Sequence, residues 1–453
     1  MPIPKEDTKK NLVFDVRVAT VVPGKITGEN KTYELKGIDL AMKLHYLKGL
    51  YFFNNTNITN STSNNGTKNN GTTNNLWSVS EMKSVPMYDW LISYFVACGR
   101  IRASSDETGD RPSIKLNDAG IRVVEAQSSK TVDEWLAMED FLSMQDQLIY
   151  NHALGPDLPF SPLVCLQVTW FKCGGISMGL SWAHILGDAF SATEFMNMWT
   201  QYMQGHHQKP KTLAIQHPSQ PNYKPLSPSQ EPTSVKRVNP VGDHWVNPTN
   251  CKIGTHTFHL TPQQLDQLHL KVHGSKMKDK DSSQFFEVIT AIIWKSIAKI
   301  RNDLETKNVT ICRPKTIKQE HGMPYNGQVL GTIEATFSVS SADPSTLVHL
   351  VAENYVDESN MVEELVNHDM SKFDYIVYGT NLTFVDMTQV DIYGFQIKRN
   401  RPTFASYTLD GVGDKGSILV LPGTKDGKLL VLHIDENEIE FLKHELNKEW
   451  CIA

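Results

Sequence analysis

The hydrophobic and polar positions of this 453-residue chain alternate between helical and strand periodicity. Apolar positions at helical spacing predict three helices, over 90–99, 285–301 and 436–447. Gly99 should end the first helix, and Ser282 or Ser283 should cap the second. Apolar runs predict strands over 121–126, 163–171, 176–183, 418–421 and 429–432. The segment 40–47 fits a helix or a buried strand, and the mixture as a whole predicts an α/β protein.

Two segments interrupt this pattern. Residues 54–75 are almost entirely Asn, Thr, Ser and Gly, which offer too little apolar surface to offset the entropy of ordering, so we expect a disordered insertion. Repeated prolines between 205 and 247 keep that segment extended and unpaired. We therefore divide the chain into an N-terminal domain (1–204), a proline-rich crossover linker (205–247) and a C-terminal domain (248–453).

Composition narrows the function classes. The chain has 44 Lys and Arg against 50 Asp and Glu, a net charge of -6, without the basic excess that is typical of nucleic-acid binding. Its six cysteines form no C-x-x-C pair and are expected to be reduced thiols. The first residues do not resemble a signal peptide, and no apolar run reaches the ~18 residues of a membrane span, so we expect no transmembrane segment.

One pair of residues is a candidate for chemistry. An apolar strand runs into His184, and Gly187 with Asp188 then opens a helix. A strand end followed by a tight turn is where an α/β protein exposes a reactive side chain. A neutral imidazole there can take a proton from an acceptor hydroxyl or amine, and Asp188 can fix the loop by pairing with a cation. The alternative is that Asp188 only caps the helix and His184 is a core histidine.

The sequence contains no other motif that predicts a catalytic, metal-binding or phosphate-binding site. There is no G-x-S-x-G elbow, no H-E-x-x-H and no P-loop, and we predict no metal site. The glycine-rich segment 411–416 precedes a strand rather than a helix, so it predicts a turn and not a phosphate cradle. Trp182 and Phe190 flank the His184 motif and are interpreted as core packing or as walls of a passage.

His184-Ile185-Leu186-Gly187-Asp188 after an apolar strand resembles the HxxxD motif of the plant BAHD acyl-CoA-dependent acyltransferases. Two further segments are similar to helices of that family, 91–102 and 283–295. Longer blocks resemble its eceriferum/glossy-type subgroup, at 28–31, 39–46, 154–158, 171–175 and 411–416.

The resemblance implies a two-domain BAHD/chloramphenicol-acetyltransferase-like α/β fold, with mixed sheets, flanking helices and a tunnel between the domains. By position, His184 would be the general base in that tunnel. Asp188 would point away and pair with an arginine, for which Arg313 is the candidate.

The chain departs from the family at two loops. The family's Asp-Phe-Gly-Trp-Gly stretch reads Asp391-Ile392-Tyr393-Gly394-Phe395-Gln396 here, and Gln cannot take φ > 0 as cheaply as Gly, so this loop backbone must differ. A second brace of the family, Tyr-Phe-Gly-Asn, has only a partial counterpart in Tyr325-Asn326-Gly327. The candidate catalytic residues are therefore His184, Asp188 and Asp391.

The subgroup implies a role other than acyl transfer. Its members assist the condensing enzyme of the fatty-acid elongase, a 3-ketoacyl-CoA synthase, and extend very-long-chain acyl-CoA toward the lengths of cuticular wax. The partner would hold the chain at the cytosolic face of the endoplasmic reticulum; a cytoplasmic or nuclear residence stays open. The alternative is an acyltransferase acting on an alcohol or amine. Acyl-CoA would be a substrate or ligand, and no tightly bound cofactor is expected.

Overall fold

A computed structural model gives the structure of the chain, described in these ranges: 11–28, 31–55, 85–102, 112–138, 141–150, 161–206, 231–241, 249–274, 285–301, 306–315, 323–369 and 372–452. Several predictions lie outside these residues: the insertion beyond Asn55, most of the linker, the serine caps of the second helix and the block at 154–158.

Strands and helices are interspersed along the chain, as in an α/β protein. The strands are β1 (Val13–Val21), β2 (Thr32–Glu34), β3 (Tyr46–Phe53), β4 (Arg100–Arg102), β5 (Ser113–Lys115), β6 (Ile121–Ser128), β7 (Val164–Phe171), β8 (Ile176–Ala183), β9 (Lys236–Val238), β10 (Ile253–Leu260), β11 (Asn308–Pro314), β12 (Gln328–Glu334), β13 (Val356–Asp357), β14 (Asp374–Ile376), β15 (Leu382–Asp386), β16 (Phe404–Asp410), β17 (Ser417–Pro422) and β18 (Lys428–Asp435). The α-helices are α1 (Gly37–Ala41), α2 (Val85–Ser93), α3 (Val132–Leu136), α4 (Ala189–Met203), α5 (Pro262–His273), α6 (Phe285–Arg301), α7 (Pro344–Glu353), α8 (Ser359–Asp369) and α9 (Glu436–Trp450).

A six-stranded sheet carries the strand that leads to His184. Its order is β1-β6-β7-β8-β3-β16, and only the β6–β7 pair within it is parallel. Every residue of β8 and of β3 is buried, because both strands lie inside the sheet and are covered on both faces. The last strand, β16, comes from the second half of the chain and pairs with β3, with Tyr407 opposite Gly49. The sheet therefore joins the two halves of the chain directly.

A seven-stranded sheet belongs to the second half, in the order β10-β18-β17-β15-β11-β12-β13. Its β11–β15 and β15–β17 pairs are parallel, and its remaining pairs are antiparallel. Helix α9 packs on α6, with Arg301 and Lys299 paired to Glu438 and Glu445 at 2.5 and 2.6 Å. The α/β class with mixed sheets and flanking helices is confirmed, whereas the predicted domain boundaries stay a prediction.

Most element predictions agree with the structure. The strand predictions correspond to β6, β7, β8, β17 and β18, and the last two pair through a turn as expected. The ambiguous segment 40–47 divides into the end of α1 at Ala41 and the start of β3 at Tyr46. Gly99 follows a 3₁₀ turn over Phe95–Cys98 rather than the α-helix itself. The segment 411–416 is a turn, with left-handed glycines at 411 and 416 (φ 78° and 83°).

Aromatic rings fix helix α4 against helix α2. Trp90 on α2 is fully buried and stacks on Trp199 of α4, with ring centroids 5.0 Å apart and planes 8° apart. The Trp90 ring also lies 4.1 Å from the ring of Phe195. Since α4 begins directly after the His184 turn, this packing anchors the helix that the turn feeds.

Replacing Trp90 with alanine should therefore remove stabilising contacts without a polar rearrangement. We expect Trp90→Ala to lower the free energy of unfolding by roughly 3–5 kcal/mol, the usual cost of a large-to-small change in a packed core. Urea denaturation followed by circular dichroism measures this loss. The control is Phe441→Ala on α9, where the ring is 67% exposed and the change should stay within about 0.5 kcal/mol. Equal losses in both variants would contradict the anchoring role.

Candidate active site

The His184 turn begins where β8 ends. Residues His184–Leu186 form a single 3₁₀ turn, and the backbone N–H of His184 donates to the carbonyl of His45 at 3.0 Å. The indole N–H of Trp182 donates to the carbonyl of Gly187 at 2.9 Å. A Cβ at Gly187 would lie 2.8 Å from the backbone nitrogen of Tyr325, so only glycine fits this close approach. The local sequence thus turns the chain sharply at a point where a distant segment touches it.

Asp188 is a buried helix cap. Its Oδ1 accepts from the backbone N–H groups of Phe190 and Ser191, both at 3.1 Å, which satisfies the free N-terminus of α4. Its Oδ2 accepts from the N–H of Gly327 at 2.9 Å. Burial raises the pKa of Asp188 to about 6, while these N–H donors oppose the rise. The helix-cap interpretation of Asp188 is therefore confirmed, with an added bond to a remote segment.

The expected arginine partner of Asp188 is wrong. Arg313 lies on β11, and its guanidinium pairs with Glu287 of α6 at 2.7 Å. The Asp188 oxygens are instead occupied by backbone N–H donors, which stabilise a carboxylate without a second charge.

The segment Tyr325–Gly327 braces the turn from the other half of the chain. The N–H of Asp188 donates to the carbonyl of Tyr325 at 3.1 Å, and the Ser191 hydroxyl donates to the same carbonyl at 2.9 Å. The amide of Asn326 donates to the carbonyl of His184 at 3.1 Å and to Asp39 at 3.0 Å. The sequence has only a partial counterpart of the family's Tyr-Phe-Gly-Asn stretch here, and this segment contacts the turn mainly through backbone groups and one amide.

The His184 ring is enclosed and hydrogen bonded. Its exposed fraction is 0%, and its Nε2 lies 2.8 Å from the hydroxyl of Tyr378. That hydroxyl also lies within hydrogen-bond distance of both amide atoms of Gln328, at 2.7 and 3.0 Å. The core-histidine interpretation therefore fits the geometry, while the tunnel expected beside the ring stays a prediction.

Burial keeps the imidazoles of this region neutral. Burial lowers the pKa of His184 to about 4, and it lowers the pKa of His45 to about 3 with a contribution from His184. Burial also raises the pKa of Tyr378 well above that of a free phenol. At neutral pH His184 is thus an unprotonated base, but one with a proton affinity below the optimum for general-base catalysis near pH 7.

Asp391 lies in a loop that contacts helix α4. It is exposed, and its carbonyl accepts from the Asn197 amide of α4 at 2.9 Å. Gln396 in the same loop binds the Thr200 hydroxyl through its backbone N–H at 2.7 Å. The positive φ angles nearby fall on Lys398 and Arg399 (49° and 68°) instead of Gln396. The loop therefore braces α4, and the described contacts of Asp391 include neither His184 nor Asp188.

Sequence reasoning missed three residues of this site. His45, Gln328 and Tyr378 are each far from the motif in sequence, and each is a common residue type without a local spacing signal. His45 lies within the block 39–46, whose sequence signal is its resemblance to the eceriferum/glossy-type subgroup. Trp182 is fully buried, in agreement with core packing, and Phe190 is partly buried.

The Asp188 cap should matter more than an ordinary cap. We expect Asp188→Ala to lower the free energy of unfolding by roughly 3 kcal/mol, because it removes a cap and leaves the buried Gly327 N–H without its acceptor. The matched control is Asp343→Ala, which removes the exposed cap of α7 and should cost about 1 kcal/mol. Urea denaturation of both variants tests the difference. Equal costs would mean that the bond to Gly327 adds nothing.

The neutral His184 ring should make the fold sensitive to acid. The imidazole binds a proton near pH 6.5 in the unfolded chain but only near pH 4 when folded, so the unfolded state holds more protons between these values. The stability that this ring contributes is therefore present above pH 6.5 and lost as the pH falls toward 4, by up to ~3 kcal/mol.

The variant His184→Gln lacks this titration. The unmodified chain loses stability as the pH is lowered from 6.5 to 4, and the variant does not lose this part. The free energy of unfolding of the variant should therefore rise relative to that of the unmodified chain over this range. Urea titrations at several pH values measure the difference. A difference that does not change with pH would show that the folded ring titrates like a free imidazole.

Comparison with known proteins places the chain in a family. Residues 16–449 match the model of the Transferase family. The chain is 35% identical over 450 residues to the protein ECERIFERUM 2 of Arabidopsis thaliana, across 96% of this chain and 98% of that protein. It is 37% identical over 438 residues to the protein ECERIFERUM 26-like of the same plant, across 96% of each.

The fold agrees with a solved structure. The crystal structure of vinorine synthase superposes with a TM-score of 0.68, covering 96% of this chain and 98% of that enzyme at 17% identity. At that identity the likeness concerns the fold alone, and it confirms the predicted two-domain α/β class. The chain therefore belongs to the Transferase family, the BAHD acyltransferases, and shares full-length similarity with its ECERIFERUM members.

Proposed function

We propose that this chain assists the elongation of very-long-chain acyl-CoA toward the lengths used in cuticular wax. The observation that carries the proposal is the similarity to two ECERIFERUM proteins over nearly the whole length. The role follows from the resemblance of the sequence blocks to the eceriferum/glossy-type subgroup. It assigns the chain to lipid metabolism without requiring that the chain itself transfers an acyl group.

The state of His184 supports an accessory role. The imidazole is fully buried, its Nε2 is bonded to Tyr378, and its pKa is lowered to about 4 by burial. A general base works best when its pKa lies near the working pH, so this ring is poorly matched to proton abstraction at pH 7. Asp188 meanwhile acts as a cap whose stabilising role needs no substrate.

The partner in this proposal is a condensing enzyme of the 3-ketoacyl-CoA synthase type. Among the helices of the described residues, none combines the length and the hydrophobicity of a membrane span. Residence at the cytosolic face of the endoplasmic reticulum would then come from the partner, with acyl-CoA as the shared ligand and no tightly bound cofactor.

Acyl transfer from CoA to an alcohol or amine is the second candidate. The observation in its favour is that His184 and Asp188 keep the motif at the end of a buried strand, with an unprotonated imidazole. In that case the histidine would take the proton of the acceptor as its oxygen or nitrogen attacks the thioester carbonyl.

Reconstitution with a condensing enzyme separates the two candidates. The chain and a 3-ketoacyl-CoA synthase are expressed singly and together in cells lacking both, and the acyl products are measured by chain length. We expect longer products only with both proteins, and His184→Ala should retain the extension within about twofold, because proton abstraction is not used. A general base would instead contribute roughly 10²–10⁴-fold.

The level and fold of the His184→Ala protein are checked by immunoblot and thermal melting. Loss of extension in a folded and abundant variant would contradict the accessory role. Absence of any extension by the unmodified chain with a panel of condensing enzymes would contradict the proposed function altogether.

A further inference from the structure

Tyr378 is hydrogen bonded to Nε2 of His184, the nitrogen that would accept a proton in catalysis. The Tyr378 hydroxyl lies 2.8 Å from His184 Nε2, and the tyrosine is 1% exposed. The ring centroids are 5.4 Å apart. No other residue is hydrogen bonded to Nε2 in the described ranges, so the phenol takes the position at which the hydroxyl of an acyl acceptor would bind.

Both ways of placing the hydrogens leave Nε2 engaged. In the first, the Tyr378 hydroxyl donates to Nε2 and accepts from the Gln328 amide nitrogen at 2.7 Å. In the second, Nε2 carries the hydrogen and donates to Tyr378, whose hydroxyl donates to the Gln328 amide oxygen at 3.0 Å. An imidazole nitrogen offers one in-plane position, as a donor or as an acceptor. An outside hydroxyl can therefore bind Nε2 only if Tyr378 leaves it.

The fold holds the Tyr378 backbone firmly in place. The N–H of Val377 donates to Nε2 of His45 at 3.0 Å, and the carbonyl of Tyr378 accepts from the N–H of Gly413 at 2.8 Å. Gly379 follows with φ 85°, and a Cβ there would lie 2.4 Å from the Gly413 carbonyl oxygen. The ring of His45 meets the edge of the Tyr378 ring at 5.0 Å. These contacts come from both halves of the chain, so a displaced Tyr378 would break several of them.

We propose that Tyr378 is an internal hydrogen-bond partner of His184 and keeps its Nε2 from accepting a proton from an outside hydroxyl. Tyr378 is thus a blocking residue: the HxxxD histidine is present, but its Nε2 is not available to a substrate. This occupancy is independent of whether the chain acts with a condensing enzyme.

Without the Tyr378 side chain, His184 should be able to catalyse the hydrolysis or alcoholysis of an acyl-CoA thioester. Nε2 takes the proton of water or of an alcohol as that oxygen bonds to the carbonyl carbon of an acyl-CoA. The C–S bond then breaks, and the thiolate receives the proton from the imidazolium. The products are free CoA and a carboxylic acid or an ester, so the step needs no oxidant or reductant.

The test compares CoA release from a long-chain acyl-CoA by purified full-length variants, with water or a long-chain alcohol as acceptor. Tyr378→Ala should release CoA roughly 10²-fold faster than the unmodified chain, the lower range of a general-base contribution. The double variant Tyr378→Ala with His184→Ala should lose this gain. The control Tyr407→Phe removes another buried tyrosine hydroxyl, bonded to Tyr51 at 2.6 Å, and should release CoA at the unmodified rate.

A folded Tyr378→Ala protein that releases CoA no faster than its double variant would overturn the proposal. Rapid His184-dependent release by the unmodified chain would overturn it as well. If the alanine variant does not fold, Tyr378→Phe tests the hydrogen bond to His184 instead, because it keeps the ring and removes only the hydroxyl. The ¹⁵N resonance of His184 Nε2 should then move in Tyr378→Phe and stay unchanged in Tyr407→Phe; an unmoved resonance in Tyr378→Phe excludes the bond.

The elongation experiment and the CoA-release experiment test the two proposals separately. Chain length of the products depends on the partner enzyme, whereas CoA release here is measured with the purified chain alone. Either proposal can therefore fail while the other stands.

Discussion

The site depends on the hydrogen bonds that the buried Asp188 carboxylate accepts. It joins the start of α4 to Gly327, which lies 139 positions further along the chain. Among the described residues, the carboxylate is stabilised by the backbone N–H groups of α4 and Gly327 and by the Ser191 side chain, and its raised pKa of about 6 reflects how strongly burial opposes the charge. Because Gly327 is adjacent to the Asn326 that binds the His184 carbonyl, this bond also fixes the turn carrying the imidazole.

Burial that stabilises this junction also weakens the histidine as a base. A charge in a region without water is costly, so the imidazoles of His45 and His184 stay neutral when enclosed. A reactive site would need solvent or substrate to reach the ring. In the described residues, its Nε2 is instead bonded to the Tyr378 hydroxyl, which is bonded in turn to the Gln328 amide, while its buried Nδ1 has no hydrogen-bond partner there.

The sequence was sufficient for the class of fold and for the local geometry of the motif. Periodicity located β7, β8 and α6, since a run of buried apolar residues is a local signal. The same reasoning allowed Asp188 as a helix cap, because a cap depends only on the residues that follow it. It failed for Arg313, whose partner is Glu287, and for Tyr378, because contacts between residues far apart in sequence depend on topology that no short spacing encodes.

A match to the HxxxD motif is therefore compatible with two different uses of the same residues. Asp188 is needed to cap α4 and hold Gly327, and the His184 backbone is needed to bind His45 and Asn326, whether or not a reaction occurs. These structural demands alone account for the position of the aspartate and of the turn. Chemistry adds one further requirement, a free Nε2, and in this chain that atom is bonded to Tyr378. The hydrogen-bond partner of this single nitrogen is therefore the feature on which the proposed blocking role of Tyr378 depends.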